Sequence, residues 1–409
     1  MFQTQEIAQN FHFYHKLSTQ FKDNTLVFRF LLPMSQESIN TALVWSQLCD
    51  DRTTFAPTKQ QMLRVMDELY DASYGSYLTT YGQSFALTVV FKGIEGSFVN
   101  DETQNDAFVT WALNVLTHVL MTEETLKEAK LNVFQNMKRE QENSVKHALT
   151  LSAERFLPQS YGLKVEGDES VMNLTLDELI KFQSMLFQQP IACFQVGQLD
   201  QAMVMNHLKK SILNQDKSSL LTYTLLNPLP LDRQSVFKVS SQSVLIKTYA
   251  TNIDYADERY LALRVGAIAL GSLPTSLLFT TVREKHSLCY FITASVIAFD
   301  GVLNIITGID KENVDQVSLL IDEQWKAFKE VSDELISQAK LMMLNSLRSS
   351  DDDVMSTVNL MYASSLKNEV FDLSRVESLI LNLSKEDIIN AMNQCVACNE
   401  FVLLGENHV

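Results

Sequence analysis

The sequence predicts an α+β chain built twice, as two homologous half-subunits that each back a mostly antiparallel sheet with helices. Three observations carry this. The stretch Asn173-Leu174-Thr175-Leu176-Asp177-Glu178-Leu179-Ile180 returns 209 positions later as Asn382-Leu383-Ser384-Lys385-Glu386-Asp387-Ile388-Ile389. In both copies a hydroxyl residue, Thr175 or Ser384, can cap a helix, with Glu178 or Asp387 three residues on as its acidic partner. An apolar strand ending in glycine follows each, Phe194-Gln195-Val196-Gly197 and Val402-Leu403-Leu404-Gly405, at an offset of 208. Upstream, Glu128-Ala129-Lys130-Leu131 parallels Gln338-Ala339-Lys340-Leu341 at an offset of 210. Signals that share nearly one offset mark an internal duplication.

Element by element, the two halves read alike. The first has an apolar strand over residues 25–32, a helix from about Ser35, strands within 75–93 and helical patterns across 101–157. The second has a strand over 243–250, a helix over 257–270, strands within 289–309 and helices to about Leu366. Residues 214–234 read as a loop, because Asn227-Pro228-Leu229-Pro230 disfavours helix. The expected organisation is therefore a domain over 1–213, a linker over 214–236 and a domain over 237–409.

Composition excludes several classes of function. The chain has 409 residues, 46% of them hydrophobic, with 12 Gly and 7 Pro, so it is expected to fold throughout and into more than one domain. No segment approaches the ~20 consecutive apolar residues of a membrane span. The polar first ten residues lack a secretory pattern, and the expected location is the cytoplasm. A net charge of −16 without a Lys/Arg cluster argues against nucleic acid. That acidity serves solubility first; a minor expectation is an acidic cavity that gathers basic ligands.

Five cysteines, Cys49, Cys193, Cys289, Cys395 and Cys398, are odd in number and widely spread, which fits a reducing compartment. Cys395 and Cys398 make a C-x-x-C pair that closes a helical stretch just before the apolar residues Phe401 to Leu404, so a structural role is expected rather than a redox one. His12-Phe13-Tyr14-His15 places two histidines three apart in an aromatic setting, and these read as packing or surface residues. The remaining histidines are scattered.

The segment Ser276-Leu277-Leu278-Phe279-Thr280-Thr281-Val282-Arg283-Glu284-Lys285-His286-Ser287-Leu288-Cys289-Tyr290 resembles the second-half signature of the insulinase-like metallopeptidase family, where R-E-K-x-x-L-x-Y runs from a helix into a strand. Gly271-Ser272 resembles the family's glycine-containing turn, reduced to one glycine. Asp300-Gly301 and the helix holding Ala339-Lys340 also fall in the family's order. In the first half, Ser160-Tyr161-Gly162 with Gly167, and Asn173-Leu174-Thr175, resemble its P-Y-G stretch and L-T cap.

The departure lies in the metal site. Catalytic members carry H-x-x-E-H on a helix, plus a later glutamate. The corresponding helix here reads Leu43-Val44-Trp45-Ser46-Gln47-Leu48, and the third ligand's region reads Asn132-Val133-Phe134-Gln135-Asn136-Met137. A zinc site needs three protein ligands and an open position, and none of the three stands here. No cofactor or metal is expected in this chain.

The resemblance implies a role for Arg283 and Tyr290. In active relatives this pair reaches across an enclosed chamber to the zinc site of the opposite half. There a guanidinium and a phenol bind the oxyanion that forms when zinc-bound water attacks a peptide bond. Read without the resemblance, Arg283 is a helix-end arginine paired with Glu284, and Tyr290 a core tyrosine. The expectation is a non-catalytic subunit of a heterodimer, whose partner carries H-x-x-E-H and the zinc, acting on short peptides. Two other readings stay open: a scaffold subunit, and a peptide-binding module without proteolysis.

Overall fold

The computed structural model describes residues 2–157, 168–215, 232–239, 242–367 and 369–406. The first half of the chain runs β1 (Gln3–Ala8), β2 (Phe11–Leu17), β3 (Asp23–Pro33), α1 (Gln36–Cys49), α2 (Lys59–Glu68), β4 (Ser73–Tyr81), β5 (Ser84–Ile94) and α3 (Gly96–Val99). It continues through α4 (Gln104–Thr117), α5 (Glu123–Glu142), α6 (Ser144–Phe156), α7 (Asp168–Asn173), α8 (Leu176–Leu186), β6 (Ile191–Gly197) and α9 (Gln201–Lys210). The second half runs β7 (Gln234–Val239), β8 (Ser243–Ala250), α10 (Tyr260–Gly271), a π-helical turn (Phe279–Lys285), β9 (Cys289–Ile297) and β10 (Val302–Ile309). It closes with α11 (Val314–Ala327), α12 (Asp333–Ser349), α13 (Val354–Ser365), α14 (Leu373–Asn382), α15 (Lys385–Asn393) and β11 (Val396–Glu406). Asn227 to Pro230, Ser160-Tyr161-Gly162 and Gly167 lie outside the described residues.

The duplication is explicit in the strand order. One sheet reads β1-β2-β6-β3-β5-β4 and the other β7-β11-β8-β10-β9. In each, the strand entering beside the glycine-ended one is parallel to it, β2 to β6 and β7 to β11, while the other pairs are antiparallel. Apart from β1, the two sheets share one topology.

Local chemistry repeats with the same spacing. Thr175 caps α8 in a reciprocal box with Glu178, and Ser384 caps α15 in the same box with Asp387. Each box satisfies two backbone donors that the helix start would leave orphaned. Lys130 on α5 donates to the Met172 carbonyl at 2.9 Å, and Lys340 on α12 donates to the Leu381 carbonyl at 3.2 Å. Donor and acceptor are thus both repeated, at offsets of 210 and 209.

The chain forms two compact units, and each takes a helix from the other half. Unit 1 holds residues Met1–Met137, Val165–Tyr223 and Val354–Phe371, so it includes α13. Unit 2 holds Lys138–Lys164, Thr224–Asp353 and Asp372–Val409, so it includes α6.

Strand alternation sorts the unit 1 sheet into two faces. Phe13, Phe28, Phe30 and Phe91 share one face and are fully buried. Trp111 of α4 meets Phe91 edge-on at 5.6 Å, and Phe187 after α8 meets Phe30 at 6.3 Å. Burying each such ring contributes ~1.5–3 kcal/mol. The opposite face carries Tyr14, Phe194 and Arg29, and Tyr362 of α13 packs on it, edge-on to Phe194 at 6.2 Å. In unit 2, Ala148 of α6 packs into a cluster of Val244, Ile246, Ile306, Phe401 and Leu403.

The observed elements follow the sequence reading closely, with two differences. β1, β2 and β7, at or next to a sheet edge, fall where no strand was expected, because none carries a long apolar run. β11 begins at Val396 rather than near Phe401, so Cys398 lies inside the strand and only Cys395 precedes it.

Candidate functional site

Arg283 and Tyr290 both lie in unit 2, flanking the entry into β9. Arg283 sits in the π-helical turn, exposed, with its guanidinium 4.8 Å from the centre of the Phe279 ring. A π-turn widens the helix by one residue and is often found at functional sites. Among the described residues the guanidinium makes no ion pair, with Glu284 or any other acid. The turn ends on Ser287 in a left-handed conformation (φ 54°), which lets the Leu288 amide bond the Val282 carbonyl at 3.1 Å and turns the chain into β9.

Tyr290 is 57% exposed. In the ladder with β10, Phe291 faces Gly308 and Cys289 faces Ile309, which leaves Tyr290 as an extra residue. Such a bulge re-aims a side chain. Its hydroxyl donates to Asp310 Oδ1 at 2.7 Å, and that bond, with the carboxylate's charge, holds the phenol above its ordinary pKa. Burial raises the neighbouring Cys289 thiol, against a lowering influence from Arg283, which places the guanidinium's field at the start of β9. Neither side chain is a core residue. Gly271 lies close behind: a Cβ there would come 2.9 Å from Ala294 on β9, so this turn residue has no room for a side chain.

The helix where the resemblance would put the metal motif is α1, in unit 1. Trp45 is fully buried, its ring 6.4 Å from Phe182 and its Nε1 donating to Gln183 at 3.1 Å. Val44 and Leu48 are also buried, and Ser46 Oγ lies 2.6 Å from Ser76 Oγ on β4. On α5, Gln135 and Asn136 are exposed. Among the described residues no three His, Cys, Asp or Glu side chains converge on a point that could hold a metal. This donor set does not fit zinc: indole, aliphatic, hydroxyl and amide groups stand where imidazoles and carboxylates would be needed.

One ionisable group near that helix escaped sequence reading. Asp50 caps the C-terminal end of α1, and burial pushes its carboxyl up to about 6 against two bonds from Ser76. The Ser76 amide donates to Oδ2 at 3.1 Å, while Oδ1 is buried without a partner, as is the Tyr74 hydroxyl. Nothing in the local sequence distinguishes Asp50 from Asp51, which pairs with Arg52 at 2.7 Å on a more open surface.

The other singled-out residues have plain roles. Burial raises the Cys395 thiol to about 12 and the Cys398 thiol to about 11, so both stay protonated and unreactive. His15 is buried and its pKa lowered by that burial, whereas His12 is half-buried.

Two cavities stand out. In unit 1 a cavity of about 250 Å³ opens between the β1-β2-β6-β3 side of the sheet and the end of α13. In unit 2 a cavity of about 600 Å³ is lined by Arg233, Lys247, Asp322 and Glu400. There Lys247 is buried between Asp322 at 2.5 Å and Glu400 at 3.3 Å, so its charge is paired.

The duplicated α+β architecture, the signature segment at the β9 entry and the filled metal helix define a metallopeptidase-type fold without its metal motif. Residues 173–343 match the family model described as "Peptidase M16 inactive domain". Over 408 residues, covering 96% of this chain and 95% of the relative, the sequence is 23% identical to the "Probable inactive metalloprotease YmfF" of Bacillus subtilis strain 168. A conserved protein from Enterococcus faecalis V583 shares the fold with a TM-score of 0.90 at 20% identity, over 100% of this chain and 99% of that one. A peptidase M16 inactive domain from Pseudomonas fluorescens does so with a TM-score of 0.81 at 16% identity, over 99% and 98%. In its matched stretch and in its fold, the chain is similar to peptidase M16 proteins of the inactive kind. Among the described residues no helix is long and apolar enough to cross a membrane.

Proposed function

We propose that this chain is the non-catalytic subunit of a two-chain zinc peptidase of the M16 type, closing the peptide chamber and presenting Arg283 and Tyr290 to the zinc site of a partner that carries H-x-x-E-H. The observation that supports this is the pair itself. Two polar side chains flank one strand entry, exposed, one on a π-turn and the other on a bulge, in a chain whose metal helix is filled by Trp45. An exposed arginine without an internal counter-ion is free to donate to a substrate carbonyl or carboxylate. The Tyr290 hydroxyl has a single proton, here given to Asp310, so it serves an oxyanion only after turning from that carboxylate.

That last bond favours a second reading, in which the surface binds peptides or holds a partner without assisting hydrolysis. The two readings separate in a reconstituted pair, assayed with short peptides alongside complex size and melting temperature. Arg283→Ala is expected to fold and assemble normally while kcat falls about 100-fold, the loss typical of one oxyanion donor. Tyr290→Phe is expected to lower kcat at unchanged KM. Normal kinetics in both well-assembled variants would leave the scaffold or binding reading.

A further inference from the structure

The cavity of unit 2 is walled by charges that the duplicated fold does not require. Ile191 on β6 pairs with Phe30, and 209 positions later Glu400 on β11 pairs with Lys247. Phe30 and Ile191 are buried and apolar. Where one unit packs a ring on an aliphatic side chain, the other buries an ion pair. Taking ions out of water is costly unless something offsets it.

Those ions do not balance. Asp232, Asp322 and Glu400 line the cavity against Arg233 and Lys247, three carboxylates to two cations. Lys247 donates to the Ser318 carbonyl at 3.2 Å and to Asp322 Oδ1 at 2.5 Å, with Glu400 at 3.3 Å. Its three protons are thereby engaged. Arg233 stands 3.3 Å from Glu400 and also pairs with a further carboxylate, Asp315, at 2.5 Å. The lining therefore keeps a surplus of negative charge. Asp322 is half-exposed and gives Lys247 only one oxygen; its Oδ2 has no partner among the described residues.

A buried phenol at the same wall lacks a partner too. Tyr249 on β8 lines the cavity, is 3% exposed, and its hydroxyl makes no hydrogen bond among the described residues. A buried tyrosine hydroxyl usually finds one. The Tyr249 ring lies flat on Trp325 of α11, 3.8 Å away. Asp322 and Trp325 are three apart on that helix and so share a face, which brings the phenol beside the Asp322 carboxylate. Burial, and after it the charges of Asp322 and Glu400, hold the phenol above its ordinary pKa, so at neutral pH it keeps its proton and offers a lone pair. A free carboxylate oxygen and a free phenol oxygen side by side call for a positively charged donor. Among the described residues no three His, Cys, Asp or Glu side chains converge to hold a metal, so the fitting donor is an organic cation.

We propose that the cavity of unit 2 binds a small organic amine, its ammonium held between Asp322 Oδ2 and the Tyr249 hydroxyl, where it neutralises the surplus carboxylate. The cavity's volume of about 600 Å³ leaves room for the body of such a molecule. This site is independent of the Arg283 and Tyr290 reading and of any peptidase partner.

The test uses the full chain and calorimetric titration at pH 7.5 with two amines and their neutral analogues: glucosamine against N-acetylglucosamine, and phenethylamine against phenethyl alcohol. At least one amine is expected to bind saturably and about tenfold or more tighter than its analogue, the contribution of one charge-assisted bond. Glucosamine alone identifies a polar body, phenethylamine alone an apolar one, and both together a site that reads the ammonium. Asp322→Asn keeps an oxygen for Lys247 but removes the surplus charge, and is expected to abolish the preference for the amine. Tyr249→Phe removes a hydroxyl that bonds nothing within the protein, so it is expected to leave Tm unchanged while weakening the amine about tenfold. No saturable binding of either amine at millimolar concentration, or equal binding of amines and neutral analogues, overturns the proposal. So does unaltered amine binding in Tyr249→Phe, which decides the matter should Asp322→Asn fail to fold.

Discussion

Replacing Asp50 by Asn tests whether the buried carboxylate at the end of α1 destabilises the native protein at neutral pH. Its folded pKa is raised from 3.8 to about 6, chiefly by burial. A raised acid binds its proton more tightly in the folded state, so stability is greatest when Asp50 is protonated and falls as pH rises from about 4 to about 6. At 1.36 kcal/mol per unit, the full penalty above that window is about 3 kcal/mol. It amounts to about 1 kcal/mol at pH 4.5, because the unfolded chain is already largely ionised there. An amide keeps an oxygen for the Ser76 amide and removes the charge, so the variant escapes the penalty at every pH. The stability difference between Asp50→Asn and wild type is therefore expected to grow by about 2 kcal/mol between pH 4.5 and 7.5. For units of this size each kcal/mol moves Tm by ~2–4 °C, so calorimetry at the two pH values resolves it. Taking the difference cancels every other titrating group. A difference that stays constant across that range would show that Asp50 is not held protonated, and would refute the reasoning.

Three further outcomes are expected. Purified chain dialysed against a chelator is expected to carry no zinc, because Trp45, Ser46, Gln135 and Asn136 offer no ligand set; one zinc per chain in elemental analysis would contradict it. Thr175→Ala and Ser384→Ala each remove one half of a reciprocal cap and are expected to cost about 1 kcal/mol apiece in urea unfolding, since the duplicated boxes are alike. A large cost at one and none at the other would break the equivalence of the two halves. If part of the −16 charge lines the peptide chamber, the reconstituted pair is expected to cleave basic peptides faster than acidic ones at low salt, with the gap closing at high salt. Equal rates would remove that idea.

The sequence by itself determined most of the elements and their repetition. Capping boxes at Thr175 and Ser384 are local chemistry, complete within four residues, and apolar runs such as those of β3 and β8 follow from the two-residue period of a strand. The missing metal ligands are likewise a matter of which side chains exist in the chain. What faces what was decided only in three dimensions. The parallel entry of β2 beside β6 and of β7 beside β11 pairs segments far apart in the chain, and nothing within either strand encodes its partner. The exchange of α6 and α13 between units sets Asn359 against Arg29 across 330 positions. Whether a charged residue is paired, as Lys247 is by Asp322 and Glu400, or left among tyrosines, as Arg29 is, depends on those distant neighbours. The bulge that frees Tyr290 from the ladder and the burial that raises the Asp50 carboxyl arise the same way. Backbone preference acts over a few residues, whereas burial and charge act through space, so the first was legible in the sequence and the second had to wait for the fold.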